Sequence, residues 1–296
     1  MTVSSSNLQS KLSRGEFVIT AEVCPPKGCD TALFLQQSRA LSGLVDAINV
    51  TDNQGANMRI SPVAAACLLL REGVEPLLQL TCRDRNRLAL QSELLGAAAL
   101  GITNILALSG DHICFGDHKE AKAVFDLDSV QLLEAIQCLE SGFDLSGKSL
   151  DGPPRFFTGA AAAPEAEPFE LTLFKLRKKA AAGARFFQTQ AIFHPDRLER
   201  FSNAIQPLGV KLITGIILLK SAGMARFINK NIPGLRVPDE LIVELENAVN
   251  PAETGVEIAC RLARAVKPFS HGVHIMAMGR EEAIPEIVRA LIKTER

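Results

Sequence analysis

Apolar, β-branched runs recur near residues 17–25, 45–53, 76–83, 103–111, 156–163, 185–193, 210–219 and 271–278, and polar residues gather where each run stops. Between them lie longer stretches, such as 31–44 and 62–71, whose apolar positions return at helical spacing. Short strand-like runs alternating with helices read as βαβ units, because parallel neighbours must be joined through a crossover. Repeated eight times, the pattern predicts an α/β fold, a closed (β/α)8 TIM barrel, with residues 1–296 forming one domain. Such a barrel carries its chemistry at the C-terminal ends of its strands, so the polar strand ends are the place to look for function.

Those ends are distinct. Pro25 and Pro26 stop the first run three residues after Glu22, and the second stops at Thr51, Asp52 and Asn53. In the third, Gln79, Thr81 and Arg83 share one face by strand alternation. The fourth is cut off by Ser109, Gly110, Asp111 and His112, and the polar stretch 113–126 that follows predicts a long loop over the active face. Residues 141–155, rich in Gly, Ser and Pro, read as the return loop to a fifth strand of small residues that leaves space beside it. Gln188 and Gln190 point the same way from the sixth strand, Lys220 ends the seventh, and helices fill 222–267 before the eighth.

Composition narrows the function. A formal net charge of −1, from 32 basic and 33 acidic residues, leaves no basic stripe for nucleic acid. Hydrophobic residues make up 47% of the chain, enough for a large core, yet no stretch nears the roughly 18 uninterrupted apolar residues of a membrane span. The N-terminal sequence lacks the apolar segment of a secretory signal, so a cytoplasmic protein is expected. Seven cysteines, an odd set with no C-x-x-C pair, argue against a disulfide framework and give no zinc or iron–sulfur spacing, so no metal site is expected. His112, His118 and His194 read as surface residues, and His271 and His274 bracket the last strand without an obvious partner.

The sequence has no G-x-G-x-x-G, G-x-S-x-G or H-E-x-x-H, which removes the sequence support for Rossmann, α/β-hydrolase and zincin chemistry. What remains is the rim set Glu22, Thr51, Gln79, Ser109, Asp111, Gln188 or Gln190, and Lys220. A carboxylate in an apolar strand is costly to bury unpaired, and Glu22 is therefore the best single candidate for an acid. The residues alone describe a polar, carboxylate-bearing pocket for an organic ligand of moderate size. They do not name a reaction.

A resemblance does. The segments AEVCPPKG, NVTDN, QLTC, LALSGDH, FDLDS, LRKKAAAGARFFQTQ and ARF, in that order and at successive strand ends, resemble the methylenetetrahydrofolate reductase family over residues 15–291. The resemblance implies a flavin barrel that reduces 5,10-methylenetetrahydrofolate to 5-methyltetrahydrofolate, with NAD(P)H as co-substrate. It makes Glu22 the acid that assists opening of the folate ring and places Asp111 near both flavin and pterin. Gln190 would contact the pterin, and Phe227 would cover the substrate. The flavin would be held by Thr51, Gln79, Ser109, Gly110, Asp111, Lys175 and Lys179. Ser109, Gln79, Ala163 and Glu167 replace Arg, His, Tyr and His of the better-known bacterial pattern, and a carboxylate near a diphosphate is repulsive. FMN is therefore an alternative to FAD. LTCRDRNR, LLGA and RF-x-x-x-x-PG-x-x-VP are similar to reductases of anaerobic and acetogenic one-carbon pathways, some of which work with an iron–sulfur partner subunit. An oligomer, of one chain type or two, is expected.

Overall fold

The β-branched and small residues form eight strands: β1 (Val18–Val23), β2 (Ala47–Val50), β3 (Pro76–Thr81), β4 (Asn104–Leu108), β5 (Phe157–Ala162), β6 (Phe186–Ala191), β7 (Lys211–Ile217) and β8 (Gly272–Met276). In the computed structural model, which describes residues 5–232 and 234–292, these strands pair in parallel and in chain order. β8 returns to β1 and closes the barrel, with Thr20 opposite His274 in the register. The (β/α)8 reading of the sequence is therefore the observed fold.

The helices are α1 (Asn7–Ser13), α2 (Ala32–Leu41), α3 (Pro62–Arg71), α4 (Arg87–Ala99), α5 (Ser129–Glu140), α6 (Phe169–Ala181), α7 (Pro195–Ile205), α8 (Ala222–Asn231), α9 (Asp239–Asn247), α10 (Pro251–Val266) and α11 (Ile284–Ile292). Their starts follow local chemistry. Asp128 and Gln131 make a reciprocal capping box at α5, Asn86 accepts from the Ala89 N–H at α4, and proline opens α3, α7 and α10. The expected helix 62–71 matches α3 at both ends, whereas the one expected over 31–44 stops at Leu41.

Strand alternation sends Ile19, Ala21 and Val23 into the core between strands and helices, and Val18 into a separate cluster inside the barrel. That inner cluster joins Ala47, Leu77, Leu106, Phe157, Phe186 and Ile213 to Leu8 and Leu12 of α1. The short N-terminal helix thus closes the bottom of the barrel. Glu75 holds it there, accepting from the N–H groups of Asn7 and Leu8 at 2.7 and 2.9 Å, while Ser6 donates to Asn104 at 2.6 Å.

The small residues of β5 do not leave room for a ligand at this level. A Cβ on Gly159 would lie 2.3 Å from the Phe186 ring, which stacks on Phe157 at 5.1 Å, so the space is filled by aromatic packing. Above it the interior turns polar: Thr20, Asn49, Gln79, Gln188 and His274 are all buried. The change from apolar bottom to polar top gives the barrel its direction.

Candidate active site

The rim is built from the C-terminal ends of β1 to β8 and the loops that follow them. β1 presents Glu22, whose side chain is 11% exposed. Gln54, in the loop after β2, donates to its Oε1 at 2.9 Å, and Nε2 of His274 lies 3.9 Å from its Oε2. His274 is buried, and its other ring nitrogen sits 3.0 Å from the Thr20 hydroxyl. The sequence offered no partner for this histidine; β8 brings it beside β1 because the barrel closes. His271 is also engaged, accepting from the Leu212 N–H at 3.1 Å, and burial pushes its imidazole below the ordinary range.

β2, β3 and β4 meet around a buried charge network. Asp52 accepts from the Thr81 N–H at 2.9 Å, the Thr81 hydroxyl at 2.8 Å and Arg85 at 2.7 Å. Arg83, 1% exposed, pairs with Asp84 at 2.7 Å and donates to the carbonyls of Asn53 and Asp111 at 3.2 and 3.3 Å. Asp84 is held below the usual carboxylate range by Arg83, against the opposing effect of burial. Sequence reading placed Arg83 on the face of Gln79 and Thr81; its observed work is to tie three strand ends together. Asp52 was read as a strand terminus, and nothing in its spacing marked it as the anchor of that network.

The turn Ser109-Gly110-Asp111 rests on this network. Gly110 has φ of +90°, and a Cβ there would come within 3.0 Å of Thr81 and 3.1 Å of Arg83. Only glycine fits both the left-handed backbone and the close approach. Ser109 and Asp111 are exposed. Thr51 is buried, with its hydroxyl 3.7 Å from the Cys24 sulfur. Gln79 is buried and its amide makes no side-chain hydrogen bond among the described residues, so its donors and acceptor are free for a ligand.

On the far side, Lys179 of α6 donates to the Ala161 carbonyl at 2.7 Å. Burial, then the neighbouring Lys175, holds its ammonium below the ordinary lysine range. Lys175 itself is exposed, and Lys178 lies over the Phe174 ring at 4.8 Å, so part of this basic helix is solvated surface. Gln190 is exposed, facing Gly234, whereas Gln188 accepts from Asn49 at 2.9 Å inside the barrel. A register shift on β6 separates these two glutamines, which alternation alone placed together. Phe227, in α8, is 61% exposed. Lys220 donates to the Met278 carbonyl at 2.8 Å and closes the rim between β7 and β8. His194, partly exposed, pairs with Glu165, whose side chain is buried, at 2.9 Å.

The long 113–126 loop is fastened rather than free. Asp117 accepts from Lys27, from His118 at 2.7 Å and from the Met58 N–H at 3.1 Å, linking the loops after β1, β2 and β4. These hydrogen bonds, Lys27 first, hold its carboxyl well below the usual range. Gly116 packs against Ala56, where a Cβ would meet the Ala56 carbonyl. The two roomiest of the surface hollows described lie away from the Glu22 and Gln79 side chains. One, of about 470 Å³, sits between α8 and α9; the other, of about 530 Å³ at the start of β4, has Arg155 as its single ionisable lining residue. Neither has the chemistry of the rim.

Among the described residues no three His, Cys, Asp or Glu are grouped to hold a metal, and no helix is long and apolar enough to cross a membrane. The cysteines are free thiols; burial pushes Cys82 up to about 12.

The methylenetetrahydrofolate reductase family model matches residues 7–292. A probable methylenetetrahydrofolate reductase (NADPH) of Caenorhabditis elegans is 25% identical over 240 residues, covering 77% of this chain and 34% of its own. Methylenetetrahydrofolate reductase 2 of Schizosaccharomyces pombe is 24% identical, covering 96% of this chain and 46% of its own. The chain thus spans less than half the length of these two relatives. The 5,10-methylenetetrahydrofolate reductase of Salmonella typhimurium is 27% identical over 84% of this chain and 80% of its own. Among solved structures, EDTA monooxygenase from Chelativorans sp. BNC1 superposes with a TM-score of 0.57 at 10% identity, covering 94% of this chain and 93% of that one, a likeness of fold alone.

Proposed function

The chain belongs to the methylenetetrahydrofolate reductase family, and from that premise we propose that its rim reduces 5,10-methylenetetrahydrofolate to 5-methyltetrahydrofolate. The observation that carries this reading is Glu22: a carboxyl at the barrel mouth, gripped through one oxygen by Gln54 and faced at the other by a buried histidine. That is the arrangement of a positioned acid.

The rim fits a flavin. Gln79 offers an amide that no protein group uses, Gly110 brings backbone close where no side chain fits, and Lys179 supplies a half-buried cation suited to a phosphate. Thr51, Ser109, Gly110, Asp111 and Lys175 complete the set that would hold it. When bound, the flavin supplies hydride transfer between NAD(P)H and the folate methylene carbon. The carboxylate of Asp111 would tune the potential of the ring and hold the pterin, Gln190 would orient the pterin, and Phe227 would shield it from water. Glu22 delivers a proton to the nitrogen that leaves the methylene carbon as the folate ring opens, and the reaction consumes that proton overall.

The test is an anaerobic one. Purified protein yields FAD or FMN, identified by mass after denaturation; NADPH or NADH bleaches it, and methylenetetrahydrofolate restores the colour. A protein that binds folate but neither contains nor rebinds flavin defeats the reading. Bleaching only on addition of an iron–sulfur partner assigns the electron supply to that partner.

A further inference from the structure

His274 is the one buried histidine inside the barrel among the described residues, and its Nε2 has no hydrogen-bond partner although it is shielded from solvent. A buried ring nitrogen without a partner is costly unless something nearby completes it. The nearest acidic group is Oε2 of Glu22, at 3.9 Å, on the neighbouring strand. The opposite edge of the ring is fixed, with Nδ1 3.0 Å from the Thr20 hydroxyl.

The hydrogen bonds favour one tautomer. The Thr20 hydroxyl donates to the Val273 carbonyl at 3.5 Å, which leaves its oxygen to accept from Nδ1–H. Nε2 then carries a lone pair directed towards Glu22.

We infer that His274 is a positioning residue for Glu22: it accepts the carboxyl proton through Nε2, holds the acid form and fixes which oxygen bears the proton, while Thr20 fixes the ring. The inference rests on the reductase reading, since it assigns how that acid is kept loaded. The separation is 3.9 Å, which a rotation of the Glu22 side chain would close, and hydrogen bonds of catalytic groups are commonly long in the unliganded state. Gln54 holds Oε1 meanwhile, so the two neighbours divide the carboxyl between them. The proton passes from Glu22 to the opening folate nitrogen and is regained from solvent at the mouth; His274 gains and loses none in the cycle.

Cys24, on the β1 exit, feels Glu22 as well as Arg59 in the loop after β2 and Glu281 after β8. Burial raises the Cys24 thiol, with Arg59 opposing and Glu22 and Glu281 adding. Cys24 therefore stays neutral and does not compete for the proton.

The experiment compares wild type with His274→Asn, which keeps an amide near Nδ1 but cannot reach Glu22. Reoxidation of reduced flavin by methylenetetrahydrofolate should slow by about 10- to 10²-fold, the effect of a misplaced catalytic group. The alkaline limb of its pH profile should move down by about one unit, because the bond that favours the protonated carboxyl is gone. Reduction of the flavin by nicotinamide should be unchanged. An infrared difference spectrum against Glu22→Gln reads the same carboxyl without turnover: its protonated band should titrate at lower pH in His274→Asn. Thr20→Val, which frees the ring while keeping the strand, should shift both in the same direction by less, and it carries the test if His274→Asn does not fold. Superimposable pH profiles and infrared titrations, or equal losses in both half-reactions, overturn the inference. A wild-type protein without flavin or folate turnover defeats the reductase reading, and the infrared titration still decides whether the pair exists.

Discussion

Asp52 accepts two hydrogen bonds from Thr81, one from its N–H at 2.9 Å and one from its hydroxyl at 2.8 Å, and so fastens the end of β2 to the end of β3. The same carboxylate, 2% exposed, pairs with Arg85. Asp52→Ala should destabilise the protein by about 3–5 kcal/mol, because it leaves Arg85 and the Thr81 donors without their buried partner. Urea denaturation with an unchanged m-value checks it; a loss within experimental error would show that the loops repack around the gap.

Glu22→Gln should slow folate reduction by about 10²- to 10⁴-fold, the usual weight of a general acid, while nicotinamide oxidation by the flavin stays near normal. Stopped-flow measurement of the two half-reactions separates these. Equal losses would remove Glu22 from the acid role.

Gly110→Ala tests the turn beneath the proposed flavin. The added methyl meets Thr81 and Arg83 at 3.0 and 3.1 Å and forces a φ of +90° on a residue that resists it. The expected cost is about 1–3 kcal/mol of stability together with weakened flavin retention. Thermal unfolding and flavin content of the purified variant report each part, and full flavin content would place the ring elsewhere.

Lys179 gives a pH-dependent prediction. Its ammonium is held below the ordinary value of 10.5, by burial first and then by Lys175. Between the lowered folded value and 10.5 the unfolded chain binds more protons, so stability of the flavin-free protein rises with pH through that window. A bound phosphate favours the charged form, so flavin affinity should fall as pH rises through the same window. Lys179→Met should remove this dependence and weaken flavin binding by about 10- to 10²-fold, the weight of one charge-assisted hydrogen bond. Titration of the flavin-free protein at two alkaline pH values checks both statements; equal affinity in the variant would exclude Lys179 from the phosphate site.

The barrel was legible because each strand is a β-branched run and each helix keeps its own period, so local pattern and closed topology agree. Glu22, Thr51, Gln79 and the Ser109-Gly110-Asp111 turn lie at the rim where strand ends placed them. Relations between distant segments were not legible. His274 meets Glu22 only because β8 closes on β1, Asp117 fastens loops that follow three different strands, and Asp52 finds Arg85 only across a turn. The shift on β6 that parts Gln188 from Gln190 depends on pairing with β7, which no pattern within β6 records. Likewise α1 is too short for a clear period, and its two buried leucines gain meaning from the interior they cover.

The meeting of β8 with β1 also sets a timetable for the molecule's manufacture. Glu22 leaves the ribosome early, yet the histidine that faces it arrives some 250 residues later, within the last strand. Until then β1 is an exposed edge and the floor laid by α1 has no complete ring to seal. A nascent chain therefore carries Glu22 long before it has that residue's surroundings, and every chain halted before β8 keeps an unpaired sheet edge.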